Sequence, residues 1–204
     1  IVDDNSPDGT SQVARELAKQ YPNIIVITRP RKMGEGTARI EGFNRSLEMG
    51  ATILLEMDAD LSHPPEKIPE MVSKIKEGYD VVIGSRYVEG GAIYGWGLRR
   101  HLTSRIANLI SRKLLGFKAH DVTSAFRAYR REVLSSIGLS EIKSSGYAYV
   151  EEILFRCVKR GYRVGEVPFI FFDRQRGESK LNLKEILEFL KAHARLFREK
   201  YQRL

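Results

Sequence analysis

The chain contains a single cysteine, Cys157, and four histidines scattered along its 204 residues. That excludes an internal disulfide and a cysteine-rich metal site, and the histidines show no zinc-ligand spacing. Cys157 falls on an apolar helix face and reads as core. No apolar run approaches the roughly eighteen residues of a membrane span, and no signal peptide is visible, so any membrane attachment is expected to be peripheral or to lie outside these residues. Repeats, low-complexity tracts and linker-like stretches are missing as well. So is an initiator methionine: the chain opens at Ile1 inside an expected strand, as an N-terminally truncated piece would. What is present is 42% hydrophobic, enough for a substantial core, and is expected to form one domain over 1–204.

Hydrophobic periodicity predicts strands near 1–3, 24–28, 52–57, 80–84 and 162–172. It predicts helices near 10–20, 37–49, 65–77, 99–115, 149–160 and 182–200, the last a basic amphipathic helix closing the chain over 182–204. Strands alternating with amphipathic helices indicate an α/β fold with a mostly parallel, Rossmann-like central sheet flanked by helices.

The net charge of +8 is unevenly spread. Residues 99–118 carry six basic side chains (Arg99, Arg100, Arg105, Arg112, Lys113, Lys118) and no acid, and residues 174–204 carry nine basic against four acidic. Together these two segments exceed the whole-chain charge, so the remainder is slightly acidic and anionic partners belong to particular elements. Leu98, Leu102, Ile106, Leu109 and Leu114 recur at near-helical spacing behind Tyr94 and Trp96, the pattern of a helix lying on a membrane surface or of a surface helix packed on the sheet. No nucleic-acid motif or aromatic stacking platform accompanies the basicity, so nucleic acid is not expected as a partner.

Asp58-Ala59-Asp60 follows the apolar run 52–57, so two carboxylates emerge where a buried strand ends, and alternation along extended backbone points both the same way. Hard oxygen pairs of this kind suit Mg²⁺ or Mn²⁺, which take their other ligands from water and substrate phosphates. A turn of solvated aspartates is the competing reading. Asp3 and Asp4 close an earlier strand, where a carboxylate could accept hydrogen bonds from a base or ribose, or simply satisfy its own turn. The stretch Gly34-Glu-Gly36 opens a helix behind Arg29, Arg31 and Lys32, but neither a P-loop lysine nor a third dinucleotide glycine follows. It reads equally as an anion-tolerant helix N-terminus or as glycines that permit close helix packing.

Val2-Asp-Asp-Asn-Ser-Pro-Asp-Gly-Thr10, Gly34-Glu-Gly-Thr-Ala38, Met57-Asp-Ala-Asp-Leu-Ser-His-Pro-Pro65 and Gly84-Ser-Arg-Tyr87 follow one another in order. Asp121-Val-Thr-Ser-Ala-Phe-Arg127, Gly165-Glu-Val-Pro168 and Asp173-Arg-Gln-Arg-Gly-Glu-Ser-Lys-Leu181 complete the set. Together these motifs resemble, over nearly the whole chain, the dolichyl-phosphate mannosyltransferases of glycosyltransferase family 2. The resemblance implies a GT-A fold and a metal-dependent enzyme that moves mannose from GDP-mannose to dolichyl (polyprenyl) phosphate with inversion. It implies work at the cytosolic face of a membrane, the endoplasmic reticulum in a eukaryote or the plasma membrane in a prokaryote, with small membrane-anchoring subunits as further partners.

By motif, Val2 and Asp4 would contact the nucleoside, and Asp58, Ala59 and Asp60 would meet ribose, diphosphate and metal. Arg86, Arg174 and Lys180 would hold phosphates, the last two on a lid over 173–181, while Asp121, Ser124 and Arg127 would lie near the acceptor. Asp58, Asp60 and Arg86 are the residues cast as catalytic. A phosphate monoester is already largely a dianion near neutral pH, its second pKa being about 6, so no base is required, and Asp121 is better cast as an orienting group. Two departures from the family stand out: the first strand with its Pro-x-Tyr-Asn-Glu-like turn is missing, and Ala125 replaces a glycine. A processive polysaccharide synthase is disfavoured because its Gln-x-x-Arg-Trp motif is absent. Transfer of glucose from UDP-glucose, and a noncatalytic membrane-surface module of the same fold, remain open.

Overall fold

In the computed structural model, which describes residues 1–144, 146–173 and 183–202, strands and helices alternate through the first half of the chain. The order is β1 (Val2–Asp3), α1 (Thr10–Gln20), β2 (Ile27–Thr28), α2 (Glu35–Glu48), β3 (Ile53–Glu56), α3 (Ile68–Lys76) and β4 (Val81–Ser85). There follow β5 (Ala92–Tyr94), α4 (Leu98–Leu115), β6 (Arg127–Arg130), α5 (Arg131–Ser136) and α6 (Tyr149–Lys159). The described elements end with β7 (Val164–Pro168), β8 (Ile170–Phe172) and α7 (Leu183–Tyr201).

A four-stranded sheet runs in the order β3-β6-β4-β7. β4 is parallel to β7, with Val81 opposite Val164, while β6 is antiparallel to both β3 and β4. β1–β2 and β5–β8 are separate parallel pairs. The α/β expectation therefore holds, and β6 is the antiparallel insertion that sequence periodicity passes over. Its sequence, Arg127-Ala-Tyr-Arg130, looks like a loop because it begins and ends on arginine. Yet Arg127 is fully buried, its guanidinium donating to the carbonyls of Ser124 at 2.7 Å and of Val122 and Val150 at 2.6 Å each. Satisfied in this way, a charged side chain can occupy a core position. The single strand expected over 162–172 is two strands broken at Phe169, whose amide donates to Ser85 and whose carbonyl accepts from Ala92.

Period-two alternation splits the core between the two faces of the sheet. Val81, Ile83 and Tyr129 pack with Phe43 of α2, Val133 and Leu134 of α5, and Ile153 and Leu154 of α6. Val82, Ala128 and Phe126 pack on the other face with Met71 and Ile75 of α3 and with Val167, Phe169 and Phe171. Gly36 sits at the crossing of α2 and α6: a Cβ there would lie 2.7 Å from the Ser144 carbonyl oxygen and 2.8 Å from Tyr149 Cβ. That is the helix-packing reading of the glycine stretch.

α4 is turned inside out. It buries Asn108, Ser111 and Leu115 and exposes Leu98, Leu102, Ile106 and Leu109, the first of them 85% accessible. The polar face is held by specific partners. Asn108 donates to Thr123 Oγ1 at 2.9 Å and accepts from the Val122 amide at 2.8 Å, and Ser111 Oγ lies 2.7 Å from His193 Nε2 of α7.

Candidate active site

The end of β3 and the turn after it hold Asp58 and Asp60, and each is fixed by neighbours. Asp60 Oδ1 accepts from the amide of Ser62 at 3.1 Å and from its hydroxyl at 2.6 Å. Leu61 between them adopts a left-handed φ of 66°, a strained value for a branched residue. The Asp58 amide donates to His63 Nδ1 at 2.9 Å, and the ring of His63 stacks on Phe126 with centroids 5.1 Å apart. Burial pushes the imidazole down to about 4, with the charges of Asp58 and Asp60 opposing and those of Arg86 and Arg39 assisting. The ring is thus neutral near pH 7, as an accepting Nδ1 requires.

Arg39 reaches this turn from α2. Its guanidinium pairs with Asp58 Oδ1 and donates to the Met57 carbonyl at 2.8 Å, while Glu35 lies 3.7 Å away and the buried Glu56 4.0 Å away. Glu56 in turn accepts from Tyr129 at 2.9 Å and Tyr149 at 2.7 Å. Burial raises the Glu56 pKa, and Arg39 and Arg127 oppose that rise. Neither Arg39 nor Glu56 carries a sequence signal beyond a polar residue at a partly buried helical or strand position.

Two cavities meet here. A groove of about 660 Å³ is lined by Val2, Ile27, Gly42, Met57 and Ala59, and a smaller cavity of about 260 Å³ by Asp60, His63, Arg86, Ser124 and Glu151; Glu35 and Asp58 line both. Of the residues singled out from sequence, Val2 and Ala59 therefore line the groove, Asp60, Arg86 and Ser124 line the cavity, and Asp58 joins the two. Asp4 is engaged by Arg29 Nε at 2.5 Å and by the Met33 amide at 3.0 Å. These bonds outweigh its slight burial and hold its carboxyl below the ordinary range.

At the far end of the smaller cavity, Arg86 grips Asp121. Nε donates to Oδ2 and Nη2 to Oδ1, both at 2.7 Å, and Thr123 Oγ1 accepts from Nη2 at 3.0 Å. Burial alone would raise Asp121, but the guanidinium wins and holds the carboxyl below its usual value. Asp121 is thereby fully buried and held by Arg86. Arg127 is enclosed as well, its nitrogens bonded to backbone carbonyls, so it braces the wall and does not reach out as an acceptor contact. Arg174 and Lys180 lie outside the described residues, as does all of the segment expected to be a lid except Asp173.

The sequence reading missed the cation beside Arg86. Arg100, in the first turns of α4, lies 4.1 Å from the centre of the Trp96 ring and donates to both Asp173 oxygens at 2.8 Å. Arg100, Trp96 and Ser104 all line the smaller cavity. Carboxylates (Asp58, Asp60) and guanidiniums (Arg86, Arg100) thus line one cavity. Among the described residues, no group of three His, Cys, Asp or Glu side chains could hold a metal alone. Two aspartates in a turn nonetheless fit a hard cation that draws its remaining ligands from water and phosphate.

The chain is similar to known proteins in both sequence and fold. Residues 1–138 match the model of the family described as glycosyl transferase family 2. The polyprenol monophosphomannose synthase of Mycolicibacterium smegmatis is 44% identical over 189 residues, covering 92% of this chain and 71% of that one. The undecaprenyl-phosphate mannosyltransferase of Micrococcus luteus is 42% identical over 182 residues, covering 89% and 74%. Among solved structures, glucosyl-3-phosphoglycerate synthase from Mycobacterium tuberculosis, in complex with Mn²⁺, UDP-glucose and phosphoglyceric acid, superposes with a TM-score of 0.63 at 22% identity. That match covers 95% of this chain and 67% of that one.

Proposed function

The chain belongs to glycosyl transferase family 2, and on that premise we propose that it transfers mannose from GDP-mannose to a polyprenyl phosphate, inverting the anomeric centre. The observation that carries the reading is the pair of cavities joined at Asp58. The groove beside Val2 takes the nucleoside, the aspartates take the diphosphate, and the smaller cavity takes the sugar with the acceptor phosphate at its Arg86–Arg100 end.

Negative charge grows on the leaving diphosphate as the sugar bond breaks. Mg²⁺ or Mn²⁺, bound through Asp58 and Asp60, would neutralise that charge. Arg39 fixes the orientation of Asp58, and Ser62 fixes that of Asp60. At the other end, Arg86 and Arg100, positioned by Asp121 and Asp173, would bring positive charge to a phosphate dianion. The acceptor needs no base, and Asp121, occupied by Arg86, is not offered as one.

The exposed apolar face of α4 supports work at a lipid surface. Arg99, Arg105 and Lys113 are exposed on the same helix, and Tyr94 and Phe172, whose rings stack at 5.5 Å, extend the apolar surface. No described helix is long and apolar enough to cross a membrane. The test is transfer of radiolabel into an organic-soluble product, comparing GDP-mannose with UDP-glucose on polyprenyl phosphate. Label is expected from GDP-mannose, in a product cleaved by mild acid. Label from UDP-glucose alone would replace the mannosyl reading with a glucosyl one.

A further inference from the structure

Glu151 and Glu152 follow one another in the first turn of α6 and have opposite surroundings. Glu152 accepts from the amides of Lys143 at 3.1 Å and Ser144 at 3.0 Å and from the Ser144 hydroxyl at 2.7 Å, and it pairs with Arg195. It is an anchor for the loop before α6. Glu151 is 2% exposed and lines the smaller cavity, yet among the described residues no other residue donates a hydrogen bond to its carboxyl. Burial pushes its pKa up to about 8. The Arg127 guanidinium of β6 and its own amide pull downward, while the Asp121 carboxylate, from the loop before β6, adds to the rise.

A largely buried carboxyl that opens only into a cavity, with no donor to it from other described residues, costs folding free energy that a ligand in the cavity would recover. The chemistry of the missing partner follows from the rest of the cavity. Phosphate has its own partners, the Asp58–Asp60 turn and the Arg86–Arg100 pair, and an ionised carboxyl would repel a phosphate dianion. Ser124, Ala125, Tyr147 and Val150, which line the same cavity as Glu151, are uncharged. A carboxyl that both donates and accepts is suited to vicinal hydroxyls, which do the same. We propose that Glu151 reads the hydroxyls of the hexose carried by the nucleotide donor and is a specificity-determining residue of this site. The inference rests on the glycosyltransferase reading above and adds to it the group that recognises the sugar.

Calorimetric titration in Mg²⁺ of the wild type, Glu151→Gln and Glu151→Met against GDP, GDP-mannose, UDP and UDP-glucose tests it. Met keeps the volume and removes the polar atoms, so it folds without an unpaired acid; Gln keeps one donor and one acceptor. Relative to free nucleotide, Glu151→Met should weaken sugar-nucleotide binding about tenfold or more, with nucleotide affinity within about twofold of wild type, and Glu151→Gln should recover most of the loss. An unchanged ratio in the Met variant, or an equal loss for nucleotide and sugar nucleotide, would overturn the proposal. The effect is read on whichever pair the wild type binds. Binding of UDP-glucose alone would therefore sink the mannosyl reading while still deciding the role of Glu151, and a wild type that binds neither sugar nucleotide would sink both.

Discussion

At the residue scale, the contrast between what the sequence reveals and what it hides is sharp around Asp58. The Asp-x-Asp turn is legible because its meaning lies in neighbours along the chain. Arg39 is not, because its partner is nineteen residues away and only the packing of α2 beside β3 brings the two together. Arg39→Ala should lower transfer by about 10- to 100-fold, the usual cost of losing a group that orients a metal-binding carboxylate, while far-ultraviolet circular dichroism stays native. Full turnover in that variant would show that Asp58 needs no clamp. Glu151 was equally hidden, since a Glu-Glu pair at a helix start reads as dipole-favoured surface residues. Its raised pKa gives a stability signature. Between the ordinary carboxyl value and about 8 the folded state holds a proton that the unfolded state has released, so the wild type loses stability as pH rises through that window. Glu151→Gln removes that dependence. Thermal melts of the two proteins should therefore diverge from pH 5 to pH 8 with the variant the more stable at the alkaline end, and parallel curves would refute the buried acid.

At the element scale, periodicity finds the long helices and the longer apolar strands, passes over the short β5 and α5, and misses β6, whose polar residues are satisfied out of view. β6 is missed because Arg127 and Arg130 look solvated; in fact Arg130 donates to the carbonyls of Ile75 and Tyr79, just as Arg127 braces its own wall. Arg127→Met should destabilise the fold by about 3 kcal/mol or more, since three buried carbonyls lose their donor at roughly 1–3 kcal/mol each, and a denaturation midpoint near wild type would disprove the brace. Gly36 presents the reverse case. From sequence its role was ambiguous between an anion site and close packing, and only the α2–α6 crossing distinguishes them. Gly36→Ala should cost on the order of 1–3 kcal/mol through overpacking, seen as a lowered melting temperature with nucleotide affinity preserved in the folded fraction. The inverted polarity of α4 was half visible: spacing showed the apolar stripe, but not that Asn108 and Ser111 would occupy the inner face.

At the scale of the whole molecule, charge and apolar surface coincide on α4, and the consequence is measurable. Replacing Arg99 and Arg105 with Glu should weaken flotation with anionic vesicles, each basic residue contributing about 1 kcal/mol, and the wild-type interaction should fade as salt rises. Equal flotation of both proteins at low salt would place docking elsewhere. The two faces of α4 carry a further implication for the lipid. Leucines face outward while Arg100 and Ser104 line the cavity, so on the proposed reading the phosphate and the bilayer would lie on opposite sides of a helix about 10 Å across. A polyprenyl chain bound this way must leave the hydrocarbon, round the helix and present only its first few isoprene units to protein. The enzyme would then gauge the near end of the lipid and be indifferent to its length. Short, water-dispersed polyprenyl phosphates should turn over at nearly the full rate once bound, and the penalty should fall on KM alone, because what the long tail contributes is confinement of the search for substrate to two dimensions.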